Sequence, residues 1–323
     1  MSGKQRSGAR RSPFPASGAH ARGERDVAMG AFGPPAPPVG YPLTVSHIQL
    51  RPLLAQWEAN PQEPATATTS PDLGLSTLDV SLTAEGIDYP GGERVTWEVA
   101  RRIVETPNQC FTIVAGATEA IAIFSTTTGM LRSLMPTSGA PTMLVAGFSM
   151  HRIKRTEPWA DTQAKARAIA PITGRTLDTT TGLGYTAILA ARSATEVVTI
   201  ELDPTGLEIA RANPWSHELF DRPNIQRVIG DAFEVVAEQP ESTFDRIIHD
   251  PPYMTLAGEL YSEEMYRRLF RVLRKGGRLF HYIGDPQSAS GARTTAGVMR
   301  RMEAAGFQRI ARRSDAFGVT ATK

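Results

Sequence analysis

The sequence predicts an α/β protein whose C-terminal half forms a doubly wound, Rossmann-like parallel sheet. Three observations lead to this fold class. From residue 157 onward, strand-like apolar segments alternate with helical ones, glycines follow the first of these strands, and acidic residues end successive strands. Alternation at this spacing is typical of parallel strands joined by helical crossovers.

Four parts follow one another along the chain. Residues 1–42 are rich in Gly, Ser, Ala, Pro and Arg, and we expect them to be disordered because they cannot bury enough apolar surface to offset chain entropy. Residues 43–72 predict a short helix and a polar linker. Residues 73–150 show mostly strand patterns and predict a small, β-rich α+β domain, and residues 157–323 hold the doubly wound sheet.

The N-terminal tail is the basic part of the chain. Residues 1–29 carry six basic and two acidic side chains, whereas the formal net charge of the whole chain is only +2. Net charge therefore does not support a nucleic-acid partner for the folded part. The tail lacks the apolar core of a secretion signal. It could tether RNA or act as a transit peptide, but its composition favours a spacer, or translation that starts at Met29.

Composition bounds the class of protein. Apolar residues make up 41% and charged residues 21% of the 323 residues, as in soluble proteins. No run of about 18 apolar residues occurs, so we expect no membrane span. Cys110 is the single cysteine, which excludes a disulfide within the chain, fits a cytoplasmic location and predicts a buried small side chain. The six histidines show no metal-ligand spacing, so no metal is predicted.

The first strand of the sheet ends in "LDTTTGLGYTA", with Asp178 at the strand end. Gly182 and Gly184 then bracket a tight turn that opens a helix. Glycines let the backbone approach a ligand closely, and a helix N-terminus offers free N–H groups. The third glycine of the dinucleotide fingerprint is absent, so a simple turn remains the alternative.

The second strand ends in "TIELDP". Glu201 falls 23 residues after Asp178, where an acidic side chain can accept both hydroxyls of a ribose. Asp203 directly precedes Pro204, and this order predicts a helix N-cap.

The third strand ends in "VIGDAF". Asp231 could accept from an adenine amino group, with small Ala232 beside it and the Phe233 ring covering the base. The alternative is an aspartate that makes a local turn. Three acidic ends on successive strands together describe one adenosine site.

The fourth strand ends in Asp250-Pro251-Pro252-Tyr253, and two prolines cannot continue a ladder. At this point the sequence resembles the class I S-adenosylmethionine-dependent methyltransferases. The resemblance covers residues 157–323 and rests on "LDTTTGLG", "TIELD", "GDAF" and "DPPY" in order, and it is closest to a family of predicted methyltransferases best known from archaea. It implies seven strands, the last one antiparallel. It also implies S-adenosyl-L-methionine bound by Asp178, Thr180, Gly182, Gly184, Glu201, Asp231 and Ala232.

The resemblance also implies a role for the DPPY turn. A side-chain oxygen of Asp250 and the carbonyl of Pro251 would accept the two protons of a planar NH₂ group, and Tyr253 would stack on that group. Alignment with the methyl carbon then matters more than a strong base. The acceptor could be a nucleic-acid base, a protein amide or a small amine, and Asp rather than Asn leans toward a base. The structural alternative is that Pro-Pro ends the strand and Tyr253 packs in the core.

Histidines and basic residues near these strand ends are secondary candidates. His281, at the end of the fifth strand, could act as a general base. His249 alternates with Asp250 and is expected to be buried structure on the other face. The basic cluster at residues 151–155 could hold a phosphate, although a solvated linker is the favoured interpretation.

Two other function classes fit parts of the pattern. Aminopropyltransferases have a similar layout and use decarboxylated S-adenosylmethionine, but they need paired acidic residues where this chain has Pro251-Pro252. A carboxylate-binding pocket near Gly182 and Gly184 would favour the methyl donor. The third class is a non-catalytic module that docks RNA through the tail, and the four intact strand ends argue against it. No oligomeric state is predicted.

Overall fold

The computed structural model describes residues 32–61, 63–254, 257–285 and 288–323, so most of the predicted N-terminal tail lies outside the described residues. The strands are β1 (Leu43–Ser46), β2 (Ala65–Thr69), β3 (Leu78–Thr83), β4 (Gly86–Asp88), β5 (Arg94–Thr96), β6 (Cys110–Val114), β7 (Ala117–Ala120), β8 (Ala122–Phe124), β9 (Leu131–Met135), β10 (Thr142–Val145), β11 (Phe148–Ser149), β12 (Arg175–Asp178), β13 (Glu196–Glu201), β14 (Ile225–Ile229), β15 (Phe244–His249), β16 (Leu273–Tyr282), β17 (Gln308–Arg313) and β18 (Gly318–Thr322). The helices are α1 (His47–Ala59), α2 (Trp97–Val104), α3 (Pro158–Ile169), α4 (Tyr185–Ala191), α5 (Pro204–Arg211), α6 (His217–Asp221), α7 (Ala232–Glu238), α8 (Glu263–Val272) and α9 (Ala289–Ala304). Short 3₁₀ helices span Pro214–Ser216 and Gly258–Tyr261.

The N-terminal region is built from three small antiparallel sheets. Their strand orders are β1-β6-β7, β2-β3-β4-β5 and β11-β10-β9-β8. Helix α1 starts at a capping box, in which Ser46 Oγ accepts from the Ile48 amide and Gln49 Oε1 accepts from the Ser46 amide. The apolar face of α1 packs through Trp57, which stacks on Trp97 of α2 with ring centroids 5.0 Å apart.

One part of the predicted linker is a strand. Residues 65–69 form β2 and pair antiparallel with β3 over five residue pairs. The segment "ATATT" is polar in composition, but its β-branched threonines suit a half-exposed strand. Cys110 is fully buried in β6, as predicted.

The C-terminal region is one seven-stranded sheet of order β14-β13-β12-β15-β16-β18-β17. The pairs from β14 to β16 are all parallel, and β18 runs antiparallel to both of its neighbours. This is the predicted class I methyltransferase-like architecture, including its antiparallel last strand. The strand order reverses between β12 and β15, and a crevice at such a point is where doubly wound sheets bind ligands.

Buried apolar side chains hold this sheet between its helices. Phe244 and Ile247 of β15 and Leu279 of β16 are fully buried and pack with Leu269 of α8. Removing such side chains from water supplies about 2 kcal/mol each. The strands are therefore held firmly between the helices. Among the described helices, none has the length and apolar character needed to span a bilayer.

Candidate functional site

A cavity of about 290 Å³ lies at the carboxyl ends of the strands on both sides of the reversal. One wall comes from the N-terminal region and includes Met130, Met143 and Met150. The opposite wall comes from the sheet. Of the predicted site residues it contains Thr180, Gly182, Glu201, Asp231, Ala232, Asp250, Pro251 and Tyr253. Asp178 and Gly184 do not line the cavity.

The turn after β12 brings backbone to the cavity at Gly182. This residue has φ of +53°, a left-handed conformation that favours glycine. A Cβ atom at this position would meet nothing within 4 Å, so the space beside Gly182 is open. The turn therefore leaves open space beside a residue that lines the cavity.

Gly184 serves the fold rather than a ligand, which corrects its predicted role. It precedes α4 with φ of +77°, and a Cβ here would lie 2.6 Å from the Cδ2 atom of Leu219. The residue is a glycine because α4 and the Leu219 side chain pack closely.

Glu201 ends β13 with its carboxylate in the cavity wall, only 8% exposed. Its Oε2 accepts from the Gly182 amide at 2.9 Å, and its Oε1 accepts from the Asp203 amide at 3.1 Å. Burial raises the pKa of Glu201, and these two amide hydrogen bonds oppose that rise. Each carboxylate oxygen can accept a further hydrogen bond, so the group can receive a pair of ribose hydroxyls.

Asp178 is enclosed behind the turn, which corrects its prediction as a direct ligand. The residue is fully buried, and its two oxygens accept from the Thr186 hydroxyl at 3.1 Å and the Thr199 hydroxyl at 2.7 Å. Burial raises the pKa of Asp178 to about 8. Its contacts join β12, β13 and α4, so its place is structural.

Asp203 caps α5, as predicted, by accepting from the Thr205 amide at 3.0 Å. It also has contacts that the sequence did not indicate. Arg132 Nε lies 2.6 Å from its Oδ2 atom, and the Thr128 hydroxyl donates to the same oxygen at 3.0 Å. Burial raises the pKa of Asp203, but hydrogen bonds from Ser125 and Arg132 outweigh burial and lower it to about 2. A buried ion pair thus fastens the N-terminal region beside Glu201.

The turn after β14 is partly as predicted. Asp231 and Ala232 line the cavity, and the Asp231 carboxylate also caps α7 by accepting from the Phe233 amide at 2.8 Å. The Phe233 ring does not cover a base site. It lies under the Arg268 guanidinium, whose central carbon is 3.6 Å from the ring centroid.

The DPPY turn is hydrogen-bonded to the turn after β12, which contains Gly182 and Gly184 and is called the glycine turn below. The Thr180 hydroxyl donates to the Asp250 carbonyl at 2.7 Å, and the Tyr261 hydroxyl donates to the Pro252 carbonyl at 3.1 Å. Tyr253 is 55% exposed at the cavity mouth. The structural alternative, in which Tyr253 packs in the core, is therefore wrong.

A buried lysine holds the side chain of Asp250. Lys165 Nζ of α3 donates to Asp250 Oδ2 at 2.6 Å and lies 2.9 Å from Asp161 Oδ2. The lysine is 2% exposed, and its Nζ lies 4.4 Å from the ring centroid of Tyr282. Burial lowers the pKa of Lys165, but the two carboxylates outweigh it and raise the pKa above its usual value.

His281 is not placed as a general base, which corrects its prediction. The ring is fully buried, with Nε2 3.2 Å from the Tyr266 hydroxyl and Nδ1 3.1 Å from the His249 carbonyl. Burial holds the pKa of His281 well below its usual value. His249 is buried, as predicted, and its Nδ1 lies 2.8 Å from the Thr179 hydroxyl.

The basic cluster at residues 151–155 is only partly the solvated linker that the sequence favours. His151 lines the cavity with its ring centroid 5.3 Å from that of Tyr185, and burial lowers its pKa to about 3. Arg152 NH1 donates to Asp161 Oδ1 at 2.9 Å. Arg152 is thus committed to an ion pair, which does not fit the alternative of a phosphate site.

Comparison with known proteins identifies relatives of this chain. Residues 164–279 match the family described as Conserved hypothetical protein 95. The chain is 42% identical over 237 residues to uncharacterized protein MJ1233 of Methanocaldococcus jannaschii, and this alignment covers 73% of the chain and 80% of that protein. The chain belongs to the MJ1233 family.

Shorter similarities extend from this MJ1233-family chain to two named transferases. A polyamine aminopropyltransferase of Aeropyrum pernix is 37% identical over 95 residues, which cover 28% of the chain and 30% of that enzyme. A ribosomal RNA small subunit methyltransferase H of Ruegeria sp. is 38% identical over 73 residues, which cover 22% of each. The aligned part of the chain thus spans less than a third of either enzyme.

Sequence reasoning missed Lys165 in this member of the MJ1233 family. A lysine on a helix is usually solvated, so its position alone gave no reason to expect a buried ion pair. Glu157 caps α3 and Pro158 opens it, so the helix begins at residue 158. The four-residue spacing of Asp161 and Lys165 was the available signal.

Proposed function

We propose that this protein is an S-adenosylmethionine-dependent methyltransferase that methylates a planar exocyclic or amide nitrogen. One observation carries the proposal: Gly182 and Glu201 line the same cavity as Asp250, Pro251 and Tyr253. Donor-binding and acceptor-binding groups that the sequence indicated separately thus face one space.

The donor half fits an adenosyl group. Glu201 has carboxylate oxygens for the ribose hydroxyls, and Gly182 leaves room for close approach of the ligand. Asp231 and small Ala232 line the next strand end, where a base would lie. When bound, S-adenosylmethionine supplies a methyl group that is activated by its sulfonium centre. The role of this half is to hold the donor in a fixed orientation.

The acceptor half fits a planar N–H donor. Oδ2 of Asp250 is engaged by Lys165, and among the described residues nothing donates to its Oδ1 atom or to the Pro251 carbonyl. These two oxygens can accept the two protons of an amino group, and the Tyr253 ring at the mouth can cover its plane. The prolines fix the backbone of this turn. Alignment of the nitrogen, rather than a strong base, is what the residues supply.

Aminopropyl transfer is the second candidate, and the similarity to a polyamine aminopropyltransferase favours it. Acidic side chains line the cavity at Asp231, Asp250 and Glu259, and acidic side chains attract cationic amines. The donor separates the two candidates, because aminopropyl transfer uses the decarboxylated form of S-adenosylmethionine.

Calorimetric titration tests the donor half. We expect S-adenosylmethionine and S-adenosylhomocysteine to bind, and Glu201→Gln to weaken both by about tenfold or more through weaker acceptors for the ribose hydroxyls. Asp250→Ala should leave donor binding within about threefold. Glu196→Gln is the matched control, since this glutamate starts the same strand and pairs with Arg175 away from the cavity.

Labelled-methyl transfer to total RNA, protein and metabolite pools tests the acceptor half. We expect incorporation with the wild type and with Glu196→Gln, and none with Asp250→Ala. If only the decarboxylated donor binds and an aminopropyl group is transferred to polyamines, the second candidate replaces the first.

A further inference from the structure

We propose that Lys165 fills the place that an alkylammonium acceptor would need at Asp250, so that the site takes a neutral nitrogen and excludes polyamines. The inference rests on the proposed function, because it concerns the acceptor half of that site. The substrate class is defined by charge, as a neutral nitrogen rather than an ammonium.

The surroundings of Lys165 Nζ are those of a complete ammonium site. Asp250 Oδ2 lies at 2.6 Å, Asp161 Oδ2 at 2.9 Å and the Tyr282 ring centroid at 4.4 Å. Carboxylates and an aromatic face are the groups that bind alkylammonium ions. The ammonium of this site is supplied by the chain itself.

The charges around Asp250 are already balanced. Arg152, Asp161, Lys165 and Asp250 form a chain of alternating sign, with Arg152 NH1 2.9 Å from Asp161 Oδ1. Two cations and two anions leave no net negative charge here. A second ammonium at Asp250 would lie beside Lys165 in a largely desolvated place, where repulsion between like charges is strong.

A neutral N–H group meets no such barrier. It can donate to Asp250 Oδ1 while Lys165 keeps Oδ2, because a carboxylate accepts on both oxygens. Lys165 also fixes the plane of the Asp250 carboxylate. It is therefore a positioning residue for the acceptor nitrogen and has no role in holding the donor.

Titration with putrescine, with and without saturating S-adenosylhomocysteine, tests the inference. We expect no measurable binding of putrescine to the wild type. Lys165→Met, in which two carboxylates have lost their cation, should bind putrescine at least about tenfold more tightly than the detection limit that bounds the wild type. The gain should disappear in Lys165→Met/Asp250→Ala. Lys275→Met is the matched control, because Lys275 is exposed on β16.

Two results would overturn the inference. The first is putrescine binding to the wild type that Asp250→Ala abolishes. The second is a Lys165→Met protein that binds S-adenosylhomocysteine normally yet gains no affinity for putrescine. If Lys165→Met does not fold, Lys165→Gln, which removes the charge but keeps a hydrogen-bond donor, takes its place under the same criteria. Failure of S-adenosylhomocysteine to bind the wild type would refute the proposed function separately.

Discussion

Asp178 and Asp250 end neighbouring parallel strands, and both side chains are largely removed from water, but their partners differ in kind. Asp178 accepts from two threonine hydroxyls and lies behind the cavity wall. Asp250 accepts from the Lys165 ammonium and lies in the wall itself. Strands β12 and β15 are adjacent, with Asp178 opposite Ile248, two residues before Asp250.

The difference shows what a partner does to a buried carboxyl group. Hydroxyls satisfy the hydrogen bonds of Asp178 without supplying a countercharge, and burial raises its pKa to about 8. Burial also raises the pKa of Asp250, but the ammonium of Lys165 supplies a countercharge that opposes this rise. Two carboxylates at neighbouring strand ends thus differ in their partners, which are hydroxyls at Asp178 and an ammonium at Asp250.

Removing the countercharge should have the largest effect. Lys165→Met leaves Asp161 and Asp250 without their shared cation, and we expect a loss of about 3–5 kcal/mol in the free energy of unfolding. Urea denaturation measures this loss, with Lys275→Met expected within about 0.5 kcal/mol of the wild type. A similar small loss in both variants would mean that the two aspartates need no ammonium.

The pH dependence of the free energy of unfolding should reveal the raised pKa of Asp178. Its folded pKa of about 8 lies above the unfolded value of about 3.9, so the folded state holds a proton that the unfolded state has lost. The contribution of Asp178 to stability is therefore lost as pH rises from about 4 to about 8, by up to about 1.4 kcal/mol per pH unit. Asp178→Asn should remove this slope. Parallel stability profiles for the two proteins between pH 5 and 7 would contradict the assignment.

The two glycines of the first turn sharpen the same distinction between structure and site. Gly184→Ala places a methyl group against Leu219 at positive φ and should cost about 2–3 kcal/mol of stability. Gly182→Ala meets open space and should cost only about 1 kcal/mol, from its positive φ. Donor affinity should fall in Gly182→Ala and stay unchanged in folded Gly184→Ala, as calorimetry can show. A loss of donor affinity in Gly184→Ala but not in Gly182→Ala would contradict this assignment of the two glycines.

The smallest expected effect concerns the link between the two turns. Thr180→Val removes the hydroxyl that donates to the Asp250 carbonyl and should cost about 1 kcal/mol of stability. Thr126→Val, at an exposed threonine, serves as the control in thermal unfolding. Equal melting temperatures for both variants would show that the link adds no stability.

The general form of the sheet could be predicted because its signals are local. Strand-helix alternation fixed the order of elements, and acidic strand ends converge wherever parallel strands share an edge. The convergence of Glu201, Asp231 and Asp250 on one cavity follows from that rule alone. The strand β2 was missed because its side chains are polar and its pairing with β3 is a tertiary choice.

The details of the site depend on contacts between distant parts of the chain, and these could not be predicted. Lys165 meets Asp250 across 85 positions, and Arg132 meets Asp203 across 71. Phe233 was assigned to a base site because it follows Asp231, but the start of α7 directs it toward Arg268.

The hydrogen bond between Thr180 and the Asp250 carbonyl has a consequence for the design of inhibitors. It joins the glycine turn to the DPPY turn. Under the proposed function, a bisubstrate compound with an adenosyl group linked to a planar amide would meet two subsites on turns that are joined to each other. The second half would dock at the high effective concentration that a well-matched linker provides. A short, stiff linker should thus outperform a long, flexible one on this protein.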